Sequence, residues 1–145
     1  MHAMAELTRL EKIDENTVEE INTLLAQLAP DQESVTSSAL EEMLAHPDTE
    51  LWTIRDGGKI IGIATLIIMH KLSGISSQVE HVVVDQTYRG KGLGETLVKK
   101  LIERAGARHA KRVMLTSRPA RAAANKLYQK LGFELKETNV YRLTL

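Results

Sequence analysis

One stretch of this 145-residue chain concentrates residue types that could do chemistry. Val82-Val83-Val84-Asp85 is rich in β-branched residues, and it runs into Arg89-Gly90-Lys91-Gly92-Leu93-Gly94 and then an amphipathic segment. A strand, a glycine-rich turn and a helix start make an anion cradle. Glycines let backbone amides approach phosphate oxygens, and the helix dipole favours negative charge there. Arg89 and Lys91 can add charge-assisted contacts. The turn is not a Walker loop, because no Gly-Lys-Ser/Thr closes it. Nor is it the dinucleotide fingerprint, since the third glycine comes one residue early and no βαβ unit opens the chain. A plain glycine-rich turn is the bland alternative, and the two cations beside it favour the cradle.

The elements that must position this turn follow from periodicity. Glu6 to Ile13 alternates weakly as a first strand. Thr17-Val-Glu-Glu20 forms a capping box ahead of Val18, Ile21, Leu24, Leu25 and Leu28, which mark one helical face closed by Pro30. Ser38-Ala-Leu-Glu41 repeats the box for a short second helix before Pro47. Glu50 to Arg55 and Lys59 to His70 read as strands joined at Asp56-Gly57-Gly58, and Gln78 to Asp85 as the next strand. Gly94 to Ala105 is a helix with Leu97, Val98, Leu101, Ile102 and Ala105 on one side. Arg112 to Thr116 is a strand, Ala120 to Leu131 a helix ending at Gly132, and Phe133 to Leu145 one bent strand or a hairpin around Thr138-Asn139. The order β-α-α-β-β-β-α-β-α-β(β) is a mixed α/β domain over residues 1–145.

Composition narrows the function. The chain is 43% hydrophobic and 26% charged, which supports a core and argues against disorder. Nineteen basic residues balance nineteen acidic ones, so no global field invites nucleic acid or an anionic membrane. A basic cluster (Arg108, Lys111, Arg112, Arg118, Arg121) is outweighed by zero net charge and by few aromatics for base stacking. With no Cys, thiolate metal sites and a cysteine nucleophile are excluded, and a reducing cytoplasm fits. His2, His46, His70 and His109 lack metal-ligand spacing, so no metal is expected. Met1-His2-Ala3-Met4 lacks a signal's apolar stretch, and no run reaches the length of a membrane span.

Arg89-Gly-Lys-Gly92-Leu-Gly94 resembles the R/Q-x-x-G-x-G/A acetyl-CoA signature of the GNAT N-acetyltransferase superfamily. Ala124-Asn-Lys-Leu-Tyr128-Gln-Lys-Leu-Gly132-Phe133 is similar to that family's A-x-x-L-Y-x-x-x-G-F segment, and the element order over the whole chain agrees. The resemblance implies a GNAT fold, a central mixed sheet flanked by about four helices. It also implies acetyl-CoA as co-substrate and acetyl transfer to an amine. Backbone groups along Val82, Val83 and Val84 would pair with the pantetheine arm. Arg89, Gly90, Lys91, Gly92, Leu93 and Gly94 would hold the pyrophosphate, with Thr96 adding a hydroxyl. Tyr128 would protonate the departing thiolate, a role that a phenol of pKa near 10 allows; the alternative is a tyrosine plugging the core. The family's usual Asn seven residues before that Tyr is Arg121 here, and Asn125 lies one turn nearer.

Acetyl transfer needs a neutral amine, hence a base. The resemblance points to Glu80, and strand alternation, which places it on the face of Val82 and Val84, favours it over His81. His81 has a suitable ordinary pKa and remains the alternative. The main-chain amide near Val82 would polarise the thioester carbonyl. Arg118, Arg121 and Arg142 are candidates for an anionic group on the acceptor, which is a small-molecule or peptide amine. Glu80-His-Val-Val-Val with Arg89-Gly-Lys locally resembles glucosamine-phosphate N-acetyltransferases. Pro30 to Ser38, Lys71 to Ser77 and the C-terminal hairpin would line the acceptor side. The resemblance also allows a homodimer built through the C-terminal strand edge. A non-catalytic acyl-CoA-binding sensor is the competing function.

Overall fold

A computed structural model describes residues 5–29 and 31–145. Five strands form one sheet in the order β1 (Ala5–Arg9), β2 (Thr49–Asp56), β3 (Lys59–Lys71), β4 (Gly74–Val84) and β5 (Val113–Met114). The first three pairings are antiparallel and the last, β4 with β5, is parallel. β3 is central, and Ile60 to Leu66 is buried without interruption. This is why its sequence is a nearly continuous apolar run and does not alternate.

Helices cover both faces. α1 (Thr17–Leu28) and α2 (Ser37–Ala45) bring Ile21, Leu24, Leu25 and Leu40 onto Leu51, Ile60, Ile63 and Val83. α3 (Leu93–Ala107) lays Leu97, Leu101 and Ala105 on Ile54, Ala64, Leu66, Ile68 and Val79 on the opposite face. α4 (Ala122–Lys130) follows β5, and its buried residue is Tyr128. The expected helical flanks and mixed sheet are therefore present.

Three local expectations are corrected. Thr17 does not cap α1. The Asp14 carboxylate accepts from the Asn16 and Thr17 amides at 2.8 and 3.1 Å, and Glu20 reaches across to the Ile60 amide instead of completing a box. α2 is capped by Thr36, whose hydroxyl accepts from the Ala39 amide at 3.2 Å, not by Ser38. Residues 133–145 form neither strand nor hairpin; Phe133 is half-buried and 134–145 lie exposed. Pro30, expected to close α1, lies outside the described residues, as does the segment 1–4.

Candidate active site

β5 pairs with β4 only at Ser77 and Gln78. Beyond that point the two part company while β4 continues to Val84, and a cleft of about 430 Å³ opens between β4 and the start of α4. Its walls are Val82, Val83, Val84 and Arg89 on one side and Ala120, Arg121, Ala122, Ala123 and Ala124 on the other, with Gln27 and Leu28 at the end of α1. Small alanine side chains keep the α4 wall low. The Arg118 guanidinium donates to the Leu28 carbonyl at 3.3 Å and so ties α1 to the segment that leads into α4.

β4 carries a bulge inside the site. Ile63 pairs with Val83 and Thr65 with Glu80, so His81 and Val82 together oppose the single residue Ala64. His81 takes up the extra residue with a positive φ of 49°, unusual for a non-glycine residue. An extra residue inverts the alternation. Val82 and Val84 pack on the α3 side, whereas Glu80, paired with Thr65, falls on the α1/α2 side with Val83. The sequence-based placement of Glu80 on the face of Val82 and Val84 is thus reversed. Its carboxylate accepts from the Gln78 amide group at 3.3 Å and lies outside the cleft lining; His81 is exposed.

The turn after β4 is braced from several sides. Asp85 accepts from the Thr87 amide and hydroxyl at 2.9 and 2.6 Å and from Gln27 at 3.1 Å. These bonds, the Thr87 hydroxyl first, hold its carboxyl below the usual range. Gln27 also accepts from the Gln86 amide at 2.9 Å, so α1 clamps the turn, a contribution that nothing in the local motif announces. Arg89 donates from Nε to the Val84 carbonyl at 3.0 Å, which folds its side chain back along β4 at the cleft mouth. Gly90 and Gly92 sit at φ of 80° and 79°, left-handed geometry that a side chain would strain, and open space lies where a Cβ would stand. The Thr96 amide makes a first helical bond to the Gly92 carbonyl at 3.1 Å, leaving the Leu93, Gly94 and Glu95 amides without intrahelical acceptors. The Thr96 hydroxyl donates to the same Gly92 carbonyl at 3.1 Å, bracing the turn. Lys91 places its ammonium 5.3 Å from the centre of the Tyr88 ring.

Asn125 lies outside the cleft lining, and its amide group donates to the Arg118 and Arg121 carbonyls at 2.9 and 2.8 Å. Its role here is to set the start of α4. Tyr128 is only 6% exposed and also stands behind the lining. Its ring meets Phe133 edge-on with centroids 5.8 Å apart. Burial pushes its phenol above the ordinary value, while a hydrogen bond and the charge of Arg121 pull the other way. The structure therefore gathers Val82, Val83, Val84 and Arg89 in one cleft, with the glycine turn running on from Arg89. Glu80, Tyr128 and Asn125 stand around it.

Comparisons with known proteins agree with this geometry. Over 91 residues the chain is 30% identical to an N-acetylaspartate synthetase of Xenopus tropicalis, covering 63% of this chain and 33% of that protein. Over 92 residues it is 35% identical to a glucosamine 6-phosphate N-acetyltransferase of Trypanosoma brucei brucei, covering 61% of this chain and 60% of that one. The matches thus span from a third to three-fifths of those relatives' lengths. A crystal structure of a Trypanosoma brucei acetyltransferase superposes with a TM-score of 0.80 at 28% identity, over 97% of this chain and 99% of that one. No helix among the described residues is long and apolar enough to cross a membrane. The sequence profile of the acetyltransferase (GNAT) family matches residues 15–133, and the chain belongs to that family.

Proposed function

We propose that the chain is an acetyl-CoA-dependent N-acetyltransferase that moves the acetyl group to a primary amine by direct attack in a ternary complex. The observation that carries this is the cleft opened where β5 leaves β4, running to Arg89 and the turn into α3. An edge strand whose neighbour has departed offers main-chain donors and acceptors to an amide-bearing arm, as an added strand would use them. The open, left-handed glycines and the amides of the first turn of α3 suit a pyrophosphate, and Arg89 and Lys91 add charge. Tyr128 is the acid that protonates the leaving thiolate, and Glu80, acting from the α1/α2 side, is the base.

The acceptor is a small-molecule or peptide amine. The names of the two relatives above make glucosamine 6-phosphate and aspartate the first compounds to try, beside a peptide with a free N-terminus. A cytoplasmic setting and a homodimer that covers the exposed segment 134–145 complete the proposal.

Calorimetric titration with acetyl-CoA and with CoA tests the donor site. Binding in the micromolar range is expected for the wild type. Arg89→Ala should weaken it, and Gly92→Asp, which adds strain and negative charge at the turn, should abolish it. No binding by the wild type would sink the proposal. Because Tyr128 stands behind the cleft lining, a binding module without catalysis is the second reading. It predicts acetyl-CoA binding with no thiol release for any acceptor in the panel.

A further inference from the structure

The two walls of the cleft are joined at one end by the last turn of α1. Gln27 and Leu28 line the cleft there, and each is bonded to a different wall. On the β4 side, the Gln27 side chain uses both halves of its amide. Its N–H donates to one Asp85 carboxylate oxygen at 3.1 Å, and its oxygen accepts from the Gln86 backbone amide at 2.9 Å. The other Asp85 oxygen is taken by the Thr87 amide and hydroxyl, so Gln27 meets the oxygen that the turn itself leaves over. On the α4 side, the Leu28 carbonyl accepts from Arg118 at 3.3 Å, and the Arg118 carbonyl accepts from the Asn125 side-chain amide at 2.9 Å. A continuous chain of bonds thus runs from the turn after β4, through the end of α1, to the first turn of α4. α1 itself is seated on the sheet by Ile21, Leu24 and Leu25.

We infer that Gln27 is a positioning residue for the donor, making the last turn of α1 a strap that sets the phosphate-binding turn against the opposite wall of the cleft. This rests on the acetyl-CoA site proposed above. Asp85 and Gln86 open the approach to that turn: a short 3₁₀ segment covers Gln86–Tyr88, and the Tyr88 amide donates to the Asp85 carbonyl at 2.8 Å. Holding these two residues therefore holds the path to Arg89, Gly90 and Gly92. The glycines give the turn its freedom, and a flank fixed beforehand lowers the ordering cost of binding. The sheet does little of this work, since β5 pairs with β4 through only two residues. The residue type follows from the chemistry. A carboxylate oxygen and an N–H stand side by side, and an amide can donate to the first while accepting from the second.

The test exchanges the two side-chain partners and reads CoA affinity by calorimetry, with a thermal melt followed by circular dichroism for each variant. Gln27→Glu keeps an acceptor for the Gln86 amide but sets a carboxylate against that of Asp85. Asp85→Asn keeps an oxygen for Thr87 but turns an N–H toward the N–H of Gln27. Each alone should weaken CoA binding about tenfold or more. Combined, they again set a donor against an acceptor at the same net charge, and affinity should return to within about threefold of the wild type. Gln27→Met fills similar space without an amide and adds no charge, so it should weaken binding while the melt stays close to that of the wild type. Unchanged affinity in Gln27→Met, or a double variant no better than the weaker single one, would overturn the inference while wild-type binding leaves the transferase proposal standing. No binding by the wild type would remove the donor site and this role with it.

Discussion

At the residue scale, the assignments turn on two groups placed on opposite sides of the cleft. Tyr128 is buried and ring-packed on Phe133, so a change to Phe keeps the packing and removes only the hydroxyl. Tyr128→Phe should lower kcat about 100-fold, a typical share for a positioned acid, with little change in KM for acetyl-CoA. Thiol release measured under saturating donor checks it, and unchanged turnover would remove Tyr128 from the mechanism. The bulge at His81 sets the two candidate bases, Glu80 and His81, in different surroundings. Since it turns Glu80 toward α1 and α2 and leaves His81 exposed, Glu80→Gln should slow turnover at least about tenfold and His81→Ala should have little effect. The opposite ranking of the two variants would transfer the role to His81. In both experiments the acceptor is whichever amine in the panel gives the fastest release.

At the scale of elements, a buried charge ties the far end of α3 to β2. Glu50 on β2 is fully buried. Arg104 holds it with two bonds of 2.9 Å, Arg108 adds one of 3.1 Å, and the Trp52 indole N–H donates at 3.0 Å. Burial alone would raise this carboxyl, but the Arg104 hydrogen bonds, the indole and the charges of Arg104 and Arg9 outweigh it and bring the pKa down to about 2. A folded-state pKa below the unfolded value means stability that is present above about pH 4.5 and lost as pH falls toward 2. Glu50→Gln should therefore cost about 1–3 kcal/mol near neutrality and flatten the loss between those pH values. Urea titrations at a series of pH values would measure both effects, and parallel acid profiles for the two proteins would refute the account. Such ties also mark what a sequence does and does not disclose. The apolar stripe Leu97, Val98, Leu101 and Ala105 announces α3, and the glycines announce the turn, because both signals are local and periodic. The reversal of Glu80 is invisible, since a bulge depends on which β3 residue faces which β4 residue. Asp14 holding the amides at the start of α1 in place of Thr17, and Gln27 clamping the turn 58 residues away, both depend on side-chain reach, which spacing alone does not encode.

For the whole molecule, the segment after α4 is the feature that a lone chain leaves unresolved. Leu135, Val140, Tyr141, Leu143 and Leu145 are each at least 75% exposed, five large apolar side chains within eleven residues. A soluble monomer rarely leaves so much contiguous apolar surface in water. Tyr141, Leu143 and Leu145 alternate, so an extended segment would present them on one face, as the sequence-based expectation of a strand requires. Strand pairing needs an edge, and β5, paired on its β4 side through only two residues, is the outer strand of the sheet. A second copy would meet both needs by exchange, if the tail of each chain lay along the β5 edge of the other in an isologous pair. Light scattering coupled to gel filtration should then give a dimer for the full chain and a monomer for a chain ending at Glu134, which keeps the Phe133 contact to Tyr128. Acetyl-CoA binding should survive that truncation, because none of the residues lining the cleft lies beyond Ala124. A full chain that runs as a monomer at every concentration would rule the pairing out. A truncated chain that still dimerises would move the interface elsewhere on the molecule.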